Sequence, residues 1–145
     1  MITWIKDPFQ SEAVEFKRHS DYKGHNAVAR TKNFQYLKLI YGKSNKIALN
    51  DQTWKQMINT GSWSAKKMDD LFKNLRMDGV RRNVSRIVTQ FIGNGEVNDW
   101  NGRVSCPIVC KYTDGSHELI AGNTRLTMAK ILNIRPQVII LRTNW

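Results

Sequence analysis

Asp114-Gly-Ser-His-Glu-Leu-Ile-Ala-Gly-Asn-Thr-Arg-Leu-Thr-Met-Ala-Lys-Ile-Leu132 is the stretch that decides the fold. Asp114-Gly115 is a hairpin signal, and the apolar residues after it read as a strand that ends at Gly122. Thr124 to Asn133 then has helical character and is stopped by Pro136. Asn123, Thr124 and Arg125 fall where the helix opens, and Asn123 or Thr124 can serve as its N-cap. Backbone N–H groups and a guanidinium converge at that turn, the arrangement with which proteins hold a phosphate. The competing reading is an ordinary glycine turn with Arg125 tied to a nearby carboxylate.

Working outward, Val104 to Thr113 is rich in β-branched and apolar residues and reads as one strand carrying Cys106 and Cys110. Four residues of strand separate their Cα atoms by about 13 Å, beyond disulfide reach. That geometry is also wrong for a zinc knuckle, so buried thiols in a reducing, cytoplasmic setting are expected. Pairing outward from a two-residue Asp114-Gly115 turn sets Tyr112 opposite His117, Lys111 opposite Glu118 and Cys110 opposite Leu119. On the other side, Gln137 to Arg142 is a final apolar strand. Strand, helix, strand predicts a right-handed crossover with the last strand parallel to the second.

The N-terminal part reads as helical. Phe9 to Phe16 can form a short helix after Pro8, and His19 to Asn26 is loop-like. Phe34 to Tyr41 has helical spacing ended by Gly42, and Asn50 or Asp51 caps a helix reaching Asn59 with Trp54, Met57 and Ile58 on its apolar face. Ser64 caps another to Arg76, and after Asp78-Gly79 a fourth runs from Val80 to Phe91. Gly93 to Gly102 is a loop holding Trp100. The sum is an α/β (α+β) fold in a single domain over 1–145.

The composition narrows the function. There are 23 Lys and Arg against 12 Asp and Glu, a formal net charge of +11, which favours a polyanionic partner such as nucleic acid. No secretory leader and no apolar run of membrane-spanning length is evident. Lys66, Lys67, Lys73, Arg76, Arg81, Arg82 and Arg86 form the densest basic stretch, suited to phosphate-backbone contact. Trp100, in its polar loop, is the tryptophan best placed to stack on a base.

The C-terminal forty residues resemble the core of the ParB/sulfiredoxin superfamily. Cys106-Pro-Ile-Val, Asp114-Gly and Leu119-Ile-Ala-Gly-Asn-Thr-Arg-Leu-Thr-Met-Ala carry the likeness, with Gly122, Arg125, Ala129 and Pro136 at the matched positions. The resemblance implies a small mixed sheet with a strand–GxxR turn–helix–strand unit over 63–145, interrupted by an inserted helix and loop (80–102). Residues 1–62 then form a helical N-terminal extension. It also implies a phosphate or nucleotide site at Gly122, Asn123, Thr124 and Arg125, with ATP or CTP and Mg2+ as the cofactor. The likeness is to short basic members of phages and mobile elements called ParB-like nucleases.

Departures matter as much. Sulfiredoxin chemistry needs a cysteine where Asn123 stands. The partition clamps carry Glu-Asn-x-x-Arg and a downstream helical domain, and the expectation is that this chain is not one of them. The serine-kinase relatives show Asp-Gly-His where Ala121-Gly122-Asn123 stands here. The leading expectation is a protein that binds nucleic acid (DNA before RNA) or a nucleotide phosphate and acts as a nuclease. A nucleotide-dependent phosphotransferase and a non-enzymatic adaptor for an acidic protein are the other readings. Asp114, His117 and Glu118 are the acid–base groups nearest the motif; as structural residues they would be a turn former, an exposed hairpin histidine and a cross-strand partner of Lys111. No metal site is assembled from sequence.

Overall fold

The computed structural model describes residues 1–11, 34–58, 90–92 and 100–145. In chain order the elements are β1 (Thr3–Ile5), α1 (Phe34–Lys43), β2 (Lys46–Ala48), α2 (Asp51–Gln56), β3 (Arg103–Ser105), β4 (Ile108–Lys111), β5 (His117–Ala121), α3 (Asn123–Ile131) and β6 (Gln137–Arg142). β1 and β3 form a parallel pair, and the other four strands form a mixed sheet in the order β2-β6-β4-β5. The chain is therefore mixed α/β, as expected. Residues 1–62, expected as a helical extension, also supply one strand to each sheet. Both are too short for an alternation to register in sequence.

The span expected as one strand is two. Cys106 and Pro107 separate β3 from β4; proline lacks the N–H that a continuous ladder needs, although Pro107 O still accepts from Ile139 N at 2.9 Å. Both cysteines are buried and in no disulfide.

The hairpin register is one residue away from the expected one. Tyr112 N donates to Ser116 O (2.9 Å) and Gly115 N to Tyr112 O (3.0 Å), enclosing Thr113, Asp114 and Gly115, with Gly115 at φ 88°. This is the longer glycine-bulge turn rather than the two-residue one. Lys111 consequently faces His117, Cys110 faces Glu118 and Val109 faces Leu119. A one-residue slip sends each side chain to the opposite face. Glu118 is thus no surface partner of Lys111; it is fully buried.

The crossover also differs. β6 lies parallel to β4, not β5, and Ile108 is paired with both Ala121 and Ile139. β5 ends and β6 begins at the same end of the sheet, level with Ile108, and α3 leaves and returns there. Leu126, Met128 and Ala129 of α3 join Ile108, Ile120, Ile139 and Leu141 in the core. Each large aliphatic side chain so buried contributes roughly 1.5–3 kcal/mol.

Other expectations shift at element ends. α1 runs through Gly42 to Lys43. α2 has its expected cap, the Asn50 side chain accepting from Thr53 N at 2.8 Å, yet it stops at Gln56. Met57 is extended (φ −68°, ψ 134°) and Ile58 bridges to Glu118 beside β5. The two sheets are tied by Lys46 Nζ, which donates to Trp4 O at 2.9 Å, and by Lys6 Nζ, which donates to Ser44 O at 2.6 Å. Trp4 meets Phe91 edge-to-face with ring centroids 6.0 Å apart. No helix among the described residues is long and apolar enough to cross a membrane. The expected helices over 64–76 and most of 80–91 lie outside the described residues.

Candidate functional site

Gly122 sets the geometry of the turn. It is left-handed (φ 100°, ψ 24°), where an L side chain is strained, and a Cβ there would stand 2.7 Å from Pro107 Cβ and 2.9 Å from Pro107 Cα. Glycine is required twice over, by torsion and by contact. It is also the N-cap, so Asn123 is the first helical residue rather than the cap, and glycine offers no side-chain capping bond. The first intrahelical bond runs from Leu126 N to Gly122 O at 2.9 Å. The N–H groups of Asn123, Thr124 and Arg125 precede it, and they carry the positive end of the helix dipole. No acidic residue lies in that first turn.

Arg125 is half-buried, and its Nη1 donates to Ser105 O at 2.9 Å. Ser105 Oγ in turn donates to Asp7 Oδ2. Among the described residues no carboxylate is ion-paired with Arg125. The guanidinium is held by a backbone carbonyl rather than tied to a carboxylate. One nitrogen fixed this way orients the planar fork, whose five donors exceed what one carbonyl can take. Ile5 and Ser105 are paired residues at the carboxyl ends of β1 and β3, so strand ends and a helix N-terminus meet here, where α/β proteins commonly bind ligands.

Asp7 and Ser105 were not legible as site residues. They are 98 positions apart, and no motif spacing links them. Asp7 is a carboxylate linked to Arg125 through Ser105. A magnesium ion brought in on a nucleotide phosphate needs only one or two carboxylates, keeping water on its remaining positions, so the residues present fit such a group. Among the described residues no group of three or more metal-ligating side chains occurs.

The acid–base candidates are not gathered at this turn. Asp114 Oδ1 accepts from Ser116 N (2.9 Å) and Ser116 Oγ (2.6 Å), the turn-former role. Glu118 accepts from Tyr112 Oη at 2.6 Å in the interior. His117 is half-buried at the opposite end of β5 from Gly122, and the four residues to Ala121 span about 13 Å. Burial, then the charges of Lys111 and Arg142, push its imidazole below the usual value, partly offset by a hydrogen bond with the Gly115 backbone.

Lys66, Lys67, Lys73, Arg76, Arg81, Arg82 and Arg86 lie outside the described residues. Trp100 is half-buried and packed against the core, which leaves less of its ring for stacking than an open loop position would. No family model, curated protein or solved structure matches the chain.

Proposed function

We propose that the Gly122–Arg125 turn binds a phosphate group and that the chain acts on or with nucleic acid, as a basic protein of ParB/sulfiredoxin type. The observation that carries this reading is Arg125 held by Ser105 O at a helix start that has a left-handed glycine and no acid in its first turn. A fixed guanidinium at the positive end of a helix suits an oxyanion. The net charge of +11 supplies the long-range attraction that a polyanion would feel. Asp114, His117 and Glu118 stand apart from the turn, so phosphate binding is the part of the reading that the described residues support.

The phosphate can belong to a nucleotide, ATP or CTP with Mg2+, or to a DNA backbone, and one experiment separates the two. Thermal unfolding is followed with a panel of nucleotides, with and without magnesium, alongside anisotropy of labelled DNA. A ligand that binds only the native state raises the melting temperature by mass action. A charge-assisted hydrogen bond contributes roughly 1.5–3 kcal/mol, so Arg125→Ala weakens the bound form by about ten- to a hundredfold. Loss of nucleotide binding in that variant identifies the nucleotide, and loss of DNA binding identifies the backbone. Binding of both unchanged by Arg125→Ala overturns the proposal.

A further inference from the structure

A second feature lies away from the α3 turn, where the end of α1, the strand β2 and the end of β6 enclose an open groove of about 290 Å³. Ile40, Ile47 and Ile140 form an aliphatic lining, with Lys43 and Arg142 among them. Ile47 is 39 % exposed, high for an isoleucine in a strand. The cationic side continues across the sheet. Arg142 pairs with Lys111, and Lys111 with His117, so two cationic side chains and the His117 imidazole occupy one row on one face of three adjacent strands. No acid lines the groove among the described residues.

We propose that this groove docks an acidic, extended peptide segment of a partner protein. Its aliphatic side chains lie on Ile40, Ile47 and Ile140, and its carboxylates meet Lys43 and Arg142. Three observations select this occupant. Lys43 and Arg142 have no acid beside them among the described lining residues, so the complement must bring negative charge. The apolar part of the lining is aliphatic, and among the described lining residues there is no ring on which a nucleobase could stack, whereas single-stranded nucleic acid binds on aromatic platforms. Finally, β2 is the terminal strand of its sheet, paired only with β6 among the described strands. An extended segment laid along such an edge gains main-chain hydrogen bonds and presents alternate side chains to one face. Acidic residues alternating with aliphatic ones match the cation-and-isoleucine pattern. Lys46, the residue of β2 that could deter such pairing, is engaged at Trp4 O.

The probe is a short synthetic peptide alternating leucine and glutamate, titrated into the methyl-labelled full chain and followed by NMR. The expected result is saturable shifts at the Ile40, Ile47 and Ile140 methyls, with affinity lowered at least about tenfold by Arg142→Glu, the change expected when like charges replace a complementary contact. Ile47→Ser lowers it as well, and the exposed Arg103→Glu, on the other sheet, leaves it within about twofold because it carries only the general charge effect. Circular dichroism and melting establish that each variant is folded. The proposal is overturned by no shift with the peptide, by an equal loss in Arg103→Glu, or by a labelled oligonucleotide perturbing these methyls while the peptide does not.

Discussion

Tyr112 Oη donates a 2.6 Å hydrogen bond to Glu118 Oε1 inside the β4–β5 hairpin, and both side chains are buried. A carboxylate in the interior must have its oxygens satisfied. Tyr112→Phe keeps the ring and removes one donor to Glu118, at a cost of about 0.5–1.5 kcal/mol for the lost hydrogen bond. Urea unfolding should give a lower midpoint with an unchanged slope. A change within about 0.5 kcal/mol, the range of ordinary surface substitutions, would mean that the bond does not stabilise the fold.

That bond also explains where sequence reading reached its end. The hairpin, the turn at Gly122 and the strand Gln137–Arg142 were legible because Asp-Gly, a lone glycine and a β-branched run each have one strong local meaning. The register was not. Asp114-Gly115 serves both a two-residue turn and the longer loop with Gly115 left-handed, and charge pairing of Lys111 with Glu118 favoured the wrong choice. What decides it is a phenol six residues upstream that satisfies Glu118 in the core, a tertiary fact. Trp54, Met57 and Ile58 likewise fit one helix face, but Ile58 gains two backbone hydrogen bonds with β5, and strand pairing overrides helical spacing. The arginine of the candidate site was legible from its motif. Its anchors Ser105 and Asp7 were not, because they come from a pairing of short strands far apart in the chain.

Two glycines with positive φ differ in their surroundings, and substitution should separate them. A Cβ at Gly115 (φ 88°) meets nothing within 4 Å, whereas one at Gly122 meets Pro107 at 2.7 Å. Gly115→Ala therefore carries only torsional strain, about 1 kcal/mol. Gly122→Ala adds a clash against a backbone-locked ring and should cost roughly 2–4 kcal/mol in all. Denaturant melts of the two variants check the order; equal losses would mean that the α3 turn relaxes freely away from Pro107.

His117 gives the fold a pH dependence whose sign is fixed by its surroundings. Its imidazole sits below the ordinary value of 6.5, first through burial and then through Lys111 and Arg142. The unfolded chain thus takes up its proton at higher pH than the folded chain does. Stability falls as pH drops from about 7 through 6.5 toward the lower folded value, and this contribution is constant below it. Arg142→Gln removes one of the repelling charges and should raise the titration midpoint of the His117 ring, read by NMR, while reducing the loss of melting temperature between pH 7.5 and 5.5. An unmoved midpoint would mean that burial and Lys111 set the value without Arg142.

Asp7 should restrain the proposed phosphate site rather than build it. Its Oδ2 accepts from Ser105 Oγ, and the carbonyl of that same serine holds Arg125, which brings a negative charge within a Debye length of about 10 Å of the guanidinium. Asp7→Asn keeps an acceptor for the serine hydroxyl and leaves the carbonyl anchor in place, so the arginine stays oriented while the opposing charge disappears. For an anion carrying no metal, affinity should rise by roughly two- to fivefold in a water-like dielectric, and the gain should shrink as salt is added. For a magnesium–nucleotide complex the same substitution removes an oxygen ligand suited to the ion, and affinity should fall instead. Titrations of the variant with inorganic phosphate and with Mg-ATP therefore move in opposite directions. If both are unchanged, Asp7 lies outside the field of the bound anion and its bond to Ser105 serves only the strand ends.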